Sequence, residues 1–219
     1  LKHIKRRSPL PPLDPAILRL MNFASQYYIH ALGETIIPTI PQMWKKPNDW
    51  EKIPKKLATN AEKKKKKSNP ILAEGFIDEI HLNEGQKRAL EKLRACPLDE
   101  FKTILLQGQT GSGKTAVFLN WLSGVLENTN AQVLLLVPEI NLTPQLERRV
   151  RAYFPDKTMV VLHSGVSEKV RGIAWHDAMT GKAQIILGTR LAALTPLPNL
   201  RAIVVDEEHD PSYKQQDGI

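Results

Sequence analysis

Cysteine is nearly absent: Cys96 is the single one among 219 residues, so the chain can form no internal disulfide and no zinc site built from several thiols. A reducing, cytoplasmic setting is the expectation, with Cys96 as an inert small residue. No apolar stretch is long enough to cross a bilayer and no secretory signal opens the chain, so no membrane partner is expected. Acidic side chains are scarce over the first 80 positions, where 8 Asp+Glu stand against 15 Lys+Arg, while from His81 onward 15 stand against 16. That asymmetry suits a basic region facing a phosphate backbone beside a nearly neutral one. Much of the excess is Lys63 to Lys67, a run that reads first as a self-repelling linker and whose contacts with nucleic acid would be sequence-independent. The chain opens on Leu1 rather than methionine and stops thirteen residues after Asp206, so both ends are expected to be those of a piece.

What is present begins with Gly108, Gln109, Thr110, Gly111, Ser112, Gly113, Lys114 and Thr115, which follow the apolar run Thr103 to Leu106. This is the pattern of a phosphate-binding loop between a strand and a helix. Glycines at 108, 111 and 113 allow positive φ and let backbone N–H groups close around a phosphate. Lys114 can reach the β- and γ-oxygens, the Thr115 hydroxyl can ligate Mg²⁺, and a helix from Lys114 to about Leu126 would aim its positive dipole end at the same anion.

A second signal lies about ninety residues on, where the continuous apolar run Ala202 to Val205 ends in Asp206-Glu207-Glu208-His209. Carboxylates at the carboxyl end of a parallel strand stand where open α/β sheets bind ligand. Asp206 is the candidate Mg²⁺ partner and Glu207 the candidate base for an attacking water. Alone, the tetrad reads as a solvated acidic turn; the upstream loop turns the reading toward a nucleoside-triphosphate site.

Strand-like runs recur at Ile104–Gln107, Val133–Val137, Met159–Leu162, Gln184–Leu187 and Ala202–Val205, most of them separated by helical stretches. The fold class expected is therefore α/β, a five-stranded parallel sheet with crossover helices. The strings 137–145 and 188–190 should emerge on the same edge as the phosphate loop, and Thr143 before Pro144 also fits a plain helix N-cap. Before His81, Asp14-Pro15 opens a helical pattern through Ile17, Leu18, Leu20, Met21, Ala24 and Tyr28, which favours burial of Tyr27 or Tyr28 over their use as stacking faces. Gln42 to Ile80 has no sustained period.

Gly-Gln-Thr-Gly-Ser-Gly-Lys-Thr with Asp-Glu-Glu-His resembles motifs I and II of superfamily 2 helicases. With Val137 to Gln145, Leu162-His163-Ser164-Gly165, Gly188-Thr189-Arg190 and Ser212 to Gln216, the chain closely resembles the primosomal replication-restart helicases, the PriA family. The resemblance is strong over residues 81–219 and looser over 1–41. It implies a RecA-like P-loop NTPase lobe over 81–219, the carboxyl-terminal part of a 3′-end DNA-binding domain over 1–41, and a basic linker or reduced winged-helix remnant over 42–80. It also implies ATP and Mg²⁺ as cofactors. The family's cysteine-rich zinc-binding insertion has no counterpart in this sequence.

By the same resemblance, Gln86 after Leu82-Asn83 holds adenine, Thr143, Arg190 and Lys2 contact DNA, and His209 couples nucleotide state to DNA. The implied activity is ATP-driven 3′-to-5′ unwinding at stalled forks, in a bacterial, nucleoid-associated setting. The implied partners are forked and single-stranded DNA, primosome and replication-restart proteins, and single-stranded DNA-binding protein. An arginine from a second motor lobe would be needed for rapid turnover, so residues 1–219 alone are expected not to unwind DNA. Ala116 and Phe118 depart from the family's usual acidic residue and tyrosine, away from the phosphate chemistry. The rival readings are a non-catalytic DNA-binding or primosome-interaction module and another superfamily 2 translocase, such as a restriction-enzyme motor.

Overall fold

A computed structural model describes residues 7–47, 50, 53, 82–109, 111–128, 130–138 and 144–214. Lys2, Thr110 and Thr143 lie outside the described residues. The amino-terminal part holds α1 (Pro15–Tyr27), α2 (Leu32–Thr39) and α3 (Gln42–Lys45). After α4 (Glu84–Arg94) and α5 (Lys114–Val125) come β1 (Gln132–Leu136), α6 (Pro144–Tyr153), β2 (Met159–Leu162), α7 (Glu168–Met179), β3 (Ile185–Gly188) and β4 (Leu200–Val205). The strands form one parallel sheet in the order β2-β3-β1-β4.

Alternation along the central strands divides the core between two faces. Val133 and Leu135 of β1, with Ile185 and Leu187 of β3, meet Leu119, Leu122 and Leu126 from α5 and its cap, and Val150 of α6. Leu134, Leu136 and Ile186 face the other way, onto Ala174, Trp175 and Ala178 of α7. The result is a three-layer α/β/α lobe whose middle strands are apolar throughout because both of their faces are covered.

The second helical layer is completed from outside the lobe's own sequence. Met43, Trp44 and Ile53 are buried with α7, although the segment that contains them carries no helical or strand period. The Trp44 indole N–H donates to the Gly172 carbonyl at 2.9 Å, the Trp50 indole N–H donates to the Trp44 carbonyl at 3.0 Å, and the Trp44 ring stacks on His176 at 5.2 Å. Gly172 is where α7 admits this contact, since a Cβ there would run into the Met43 side chain. Gln132 is fully buried at the start of β1; its amide donates to the Ala178 and Ala183 carbonyls and accepts from the Asn199 N–H, so all three neighbours are satisfied.

Two expectations are corrected. Residues 103–107 form no strand: Ile104 and Leu105 are exposed, Leu105 by 74%, and the sheet has four strands among the described residues. A short apolar run becomes a strand only with a ladder partner, and β4 pairs with β1 alone, leaving its outer edge open. In α1, Asp14 caps the helix by accepting from the Ala16 N–H at 2.6 Å with Pro15 in its first turn, as expected, and Ile17, Met21 and Ala24 are buried. Tyr27 and Tyr28, however, are 68% and 52% exposed, as are Leu18 and Leu20 in part. The helix buries a narrower stripe than its composition offers, and the surplus rings pack on one another, Phe23 against Tyr27 at 5.6 Å and Tyr27 edge-on to Tyr28 at 5.0 Å.

Candidate nucleotide site and nucleic-acid edge

Of the three glycines expected at positive φ in the loop before α5, Gly111 and Gly113 take it and Gly108 does not. Gly111 and Gly113 stand at φ +80° and +82°, in the left-handed region, and a Cβ on Gly108 would sit 2.6 Å from Ser112 Oγ. Gly113 is the residue from which α5 starts, with its carbonyl accepting the first helical N–H bonds from Ala116 and Val117. Lys114 curls back so that its ammonium donates to the Gly108 carbonyl at 2.9 Å and the Gln109 carbonyl at 3.3 Å. Thr115 is half-buried in the first turn.

Gln86 reaches this loop from α4. It closes a reciprocal cap with Asn83, its Oε1 accepting from the Asn83 N–H at 2.8 Å, while its Nε2 donates to the Ser112 carbonyl at 2.8 Å. Both ends of the amide are thereby engaged, and the helix start is tied to the phosphate loop.

At the far end of β4, the Asp206 N–H continues the ladder by donating to the Leu136 carbonyl at 2.9 Å. Burial, then the charge of Glu207, pushes the Asp206 carboxyl up from its ordinary value; the Glu207 N–H, 3.1 Å from Oδ1, and the Lys114 ammonium pull the other way. Lys114 and Asp206, ninety-two positions apart in the sequence, thus share one electrostatic environment. Glu207 adopts φ +47°, unusual for a residue with a side chain, which turns the chain sharply after the strand. His209 Nε2 is 3.7 Å from Glu207 Oε2 and is well exposed.

Two contributors escaped the sequence reading. The Tyr213 hydroxyl donates to the Asp206 carbonyl at 2.8 Å and braces the acidic turn from below; burial and the carboxylates of Asp206, Asp210 and Glu207 push its phenol up. Asp210 accepts from the Ser212 N–H at 2.8 Å and starts the short helix Pro211–Tyr213; the Ser212 hydroxyl, then this N–H, hold its carboxyl below the usual range. The Asp-Pro pair at 210–211 is the same start signal that opens α1, and could have marked this brace.

The other edge motifs emerge where the parallel strands end. Gly188 lies so close under Leu162 that a Cβ would meet the Leu162 carbonyl oxygen at 2.6 Å. Thr189 is buried, donates its N–H to that carbonyl at 3.2 Å, and leads into the 3₁₀ helix Arg190–Leu194, which carries the half-exposed Arg190. The Thr189 hydroxyl is buried with no hydrogen-bond partner among the described residues. Pro144 opens α6 after the undescribed 139–143 stretch. Among the described residues no cluster of three or more His, Cys, Asp or Glu side chains could hold a metal, and no helix is long and apolar enough to cross a membrane.

Residues 83–219 match the model of the DEAD/DEAH box helicase family. The chain belongs to that family. The chain is similar over 134 residues, at 47% identity, to replication restart protein PriA of Synechocystis sp., covering 61% of this chain and 16% of that protein. It is 38% identical over 170 residues to PriA of Haemophilus influenzae, covering 67% and 23% respectively. The match to PriA of Rickettsia felis, at 30% identity over 220 residues, extends along 100% of this chain and 30% of the relative, so the amino-terminal part is matched as well as the helicase domain. The chain spans less than a third of the length of these relatives. Membership in the helicase family implies use of a nucleotide and Mg²⁺ in general.

Proposed function

We propose that residues 81–219 are the first motor lobe of an ATP-dependent 3′-to-5′ DNA helicase that acts at stalled forks and restarts replication through primosome assembly. The observation that carries this reading is a glycine loop closed by the Lys114 ammonium, whose charge reaches the Asp206 carboxyl at the end of β4 and opposes its upward shift. The residues present fit Mg·ATP: the left-handed glycines turn the loop, and Gly108 lets it close over Ser112, whose hydroxyl a Cβ would strike.

When bound, ATP with Mg²⁺ supplies the phosphoanhydride bond whose hydrolysis drives movement. Lys114 would exchange the Gly108 and Gln109 carbonyls for phosphate oxygens, a swing of donors it already presents. Thr115 and Asp206 would hold the metal, the Asp206 main chain being fixed by the Tyr213 hydroxyl. Glu207, turned by its left-handed backbone, would orient the attacking water and take its proton. Gln86 would read adenine by giving up one of its present bonds, which links base recognition to the phosphate loop.

Thr143 and Arg190 would hold the phosphates of one strand, His209 would relay nucleotide state to them, and Lys2 would serve the amino-terminal DNA-end domain. Primosome proteins and single-stranded DNA-binding protein are the proposed partners, in the bacterial cytoplasm. The test is uptake of Mg·ATP by the chain, followed by calorimetry. The expected result is binding below millimolar concentration that falls at least about 100-fold in Lys114→Ala, in keeping with loss of a phosphate-clamping charge; a folded chain that takes up no nucleotide overturns the reading.

A further inference from the structure

Short bonds hold the acidic turn on both sides. The Asp206 N–H is tied back to the Leu136 carbonyl at 2.9 Å, and the Glu207 carbonyl accepts the Asp210 N–H at 2.9 Å. The peptide plane between Asp206 and Glu207 is held from further away. Its carbonyl accepts the Tyr213 hydroxyl at 2.8 Å, and its N–H, on the opposite side of the plane, donates to Asp206 Oδ1 at 3.1 Å.

Rotating that plane changes two dihedral angles together, ψ of Asp206 and φ of Glu207. Glu207 stands at φ +47°, in the left-handed region that disfavours a residue with a Cβ. Turning the plane until Glu207 regained a negative φ would swing the carbonyl off the Tyr213 hydroxyl and carry the N–H away from Asp206 Oδ1. The phenol therefore opposes the relaxation that the backbone alone favours. It does so from a firm base: its ring is half-buried against the cluster of Leu134, Leu136 and Ile186, which Met43 and Trp44 complete from the amino-terminal part, and Asp210 starts the short helix that carries it. A phenylalanine would keep those ring contacts and lose only the donor.

We propose that Tyr213 is a positioning residue: its hydroxyl latches the 206–207 peptide in a strained orientation, and that orientation sets the Asp206 carboxylate for Mg²⁺ and the Glu207 carboxylate for the attacking water. The metal and the water rest on the function proposed above; the latch is a property of the free chain. The phosphate loop is held by its own bonds from Gln86 and Lys114, so the phenol has no part in gripping the phosphates. Its effect falls on the metal side of the site alone.

The experiment titrates the full chain and its Tyr213→Phe variant with ATP by calorimetry, once with Mg²⁺ and once in EDTA, and follows the Glu207 amide by ¹⁵N NMR in the nucleotide-free protein. Tyr213→Phe is expected to lose about 10-fold of the affinity that Mg²⁺ adds, the lower end of the loss when an outer partner of a metal ligand is removed, with affinity in EDTA unchanged within about 2-fold. The Glu207 amide is expected to shift, since it leaves its carboxylate acceptor. In a Glu207→Asn background, where asparagine tolerates the left-handed region, Tyr213→Phe is expected to cost about 3-fold or less. Equal losses with Mg²⁺ and in EDTA mark a merely structural role and overturn the proposal. So do an unmoved Glu207 amide, a Mg²⁺ gain in Tyr213→Phe equal to that of the wild type, or the same loss in both backgrounds. If the wild type takes up no ATP under either condition, the functional reading fails, and the Glu207 amide alone decides whether the latch exists.

Discussion

β1 and β4 are neighbours in one sheet, nearly alike in composition, and they live in different solvents. Gln132 to Leu136 is buried at every residue; Leu200 to Val205 is buried only at Ala202, with Val204 partly covered. Register shows why. Leu134 pairs with Ile203 and Leu136 with Val205, so these side chains point to the same face, but α7 and Trp44 cover only the β1 half of it. Ile203 is left 51% exposed and Val205 44%. Branched apolar side chains thus make a strand in either place, while burial is decided by what arrives on top. The acidic turn grows from the uncovered strand, where water and ligand can enter.

Four substitutions test that contrast. Trp44→Ala removes the lid of the covered half and is expected to cost about 3–5 kcal/mol in urea unfolding; a cost below about 1 kcal/mol would mean that α7 covers β1 unaided. Gln132→Leu leaves the Ala178 and Ala183 carbonyls and the Asn199 N–H without their partner, at an expected cost of about 2–3 kcal/mol.

Asp206→Asn works in the opposite direction on the open strand. Because burial raises the Asp206 carboxyl in the fold, the folded state holds its proton more tightly than the unfolded one. Its destabilising effect is absent below about pH 4, the ordinary value, and develops as pH rises through the raised one. The variant should therefore melt slightly higher than wild type at neutral pH and show no advantage below that window, a comparison for calorimetry at two pH values; solvent screening of this half-exposed carboxyl keeps the effect small. Ile203→Thr should change stability by less than about 0.5 kcal/mol, since its side chain already faces water. A large loss there would show that something covers β4 in solution.

The same contrast explains which parts were legible from residues alone. Short-range chemistry was: glycines that need positive φ at 111 and 113, the Asp14-Pro15 helix start, the four apolar runs that did become strands, and the helix opening at Lys114. Long-range partnership was not. Trp44 sits in a stretch without period, and its place depends on Gly172 and His176, 128 and 132 positions away. Ile104–Gln107 had a strand's composition and found no ladder, while Tyr27 and Tyr28 had a core residue's composition and found no cover. In the candidate site, the residue types were readable but the engagement of Gln86 at both amide ends and the Tyr213 brace were not, since each needs the partner's position in space.

The indole-to-carbonyl chain from Trp50 through Trp44 to Gly172 carries a practical warning for anyone trimming this polypeptide. Cleaving it before residue 81, where the helicase family match is about to begin, would strip Met43, Trp44 and Ile53 from the sheet and expose a greasy flank next to α7. Such a truncation should aggregate even with the glycine loop and the acidic turn intact, and should be rescued by supplying the severed stretch as a separate peptide.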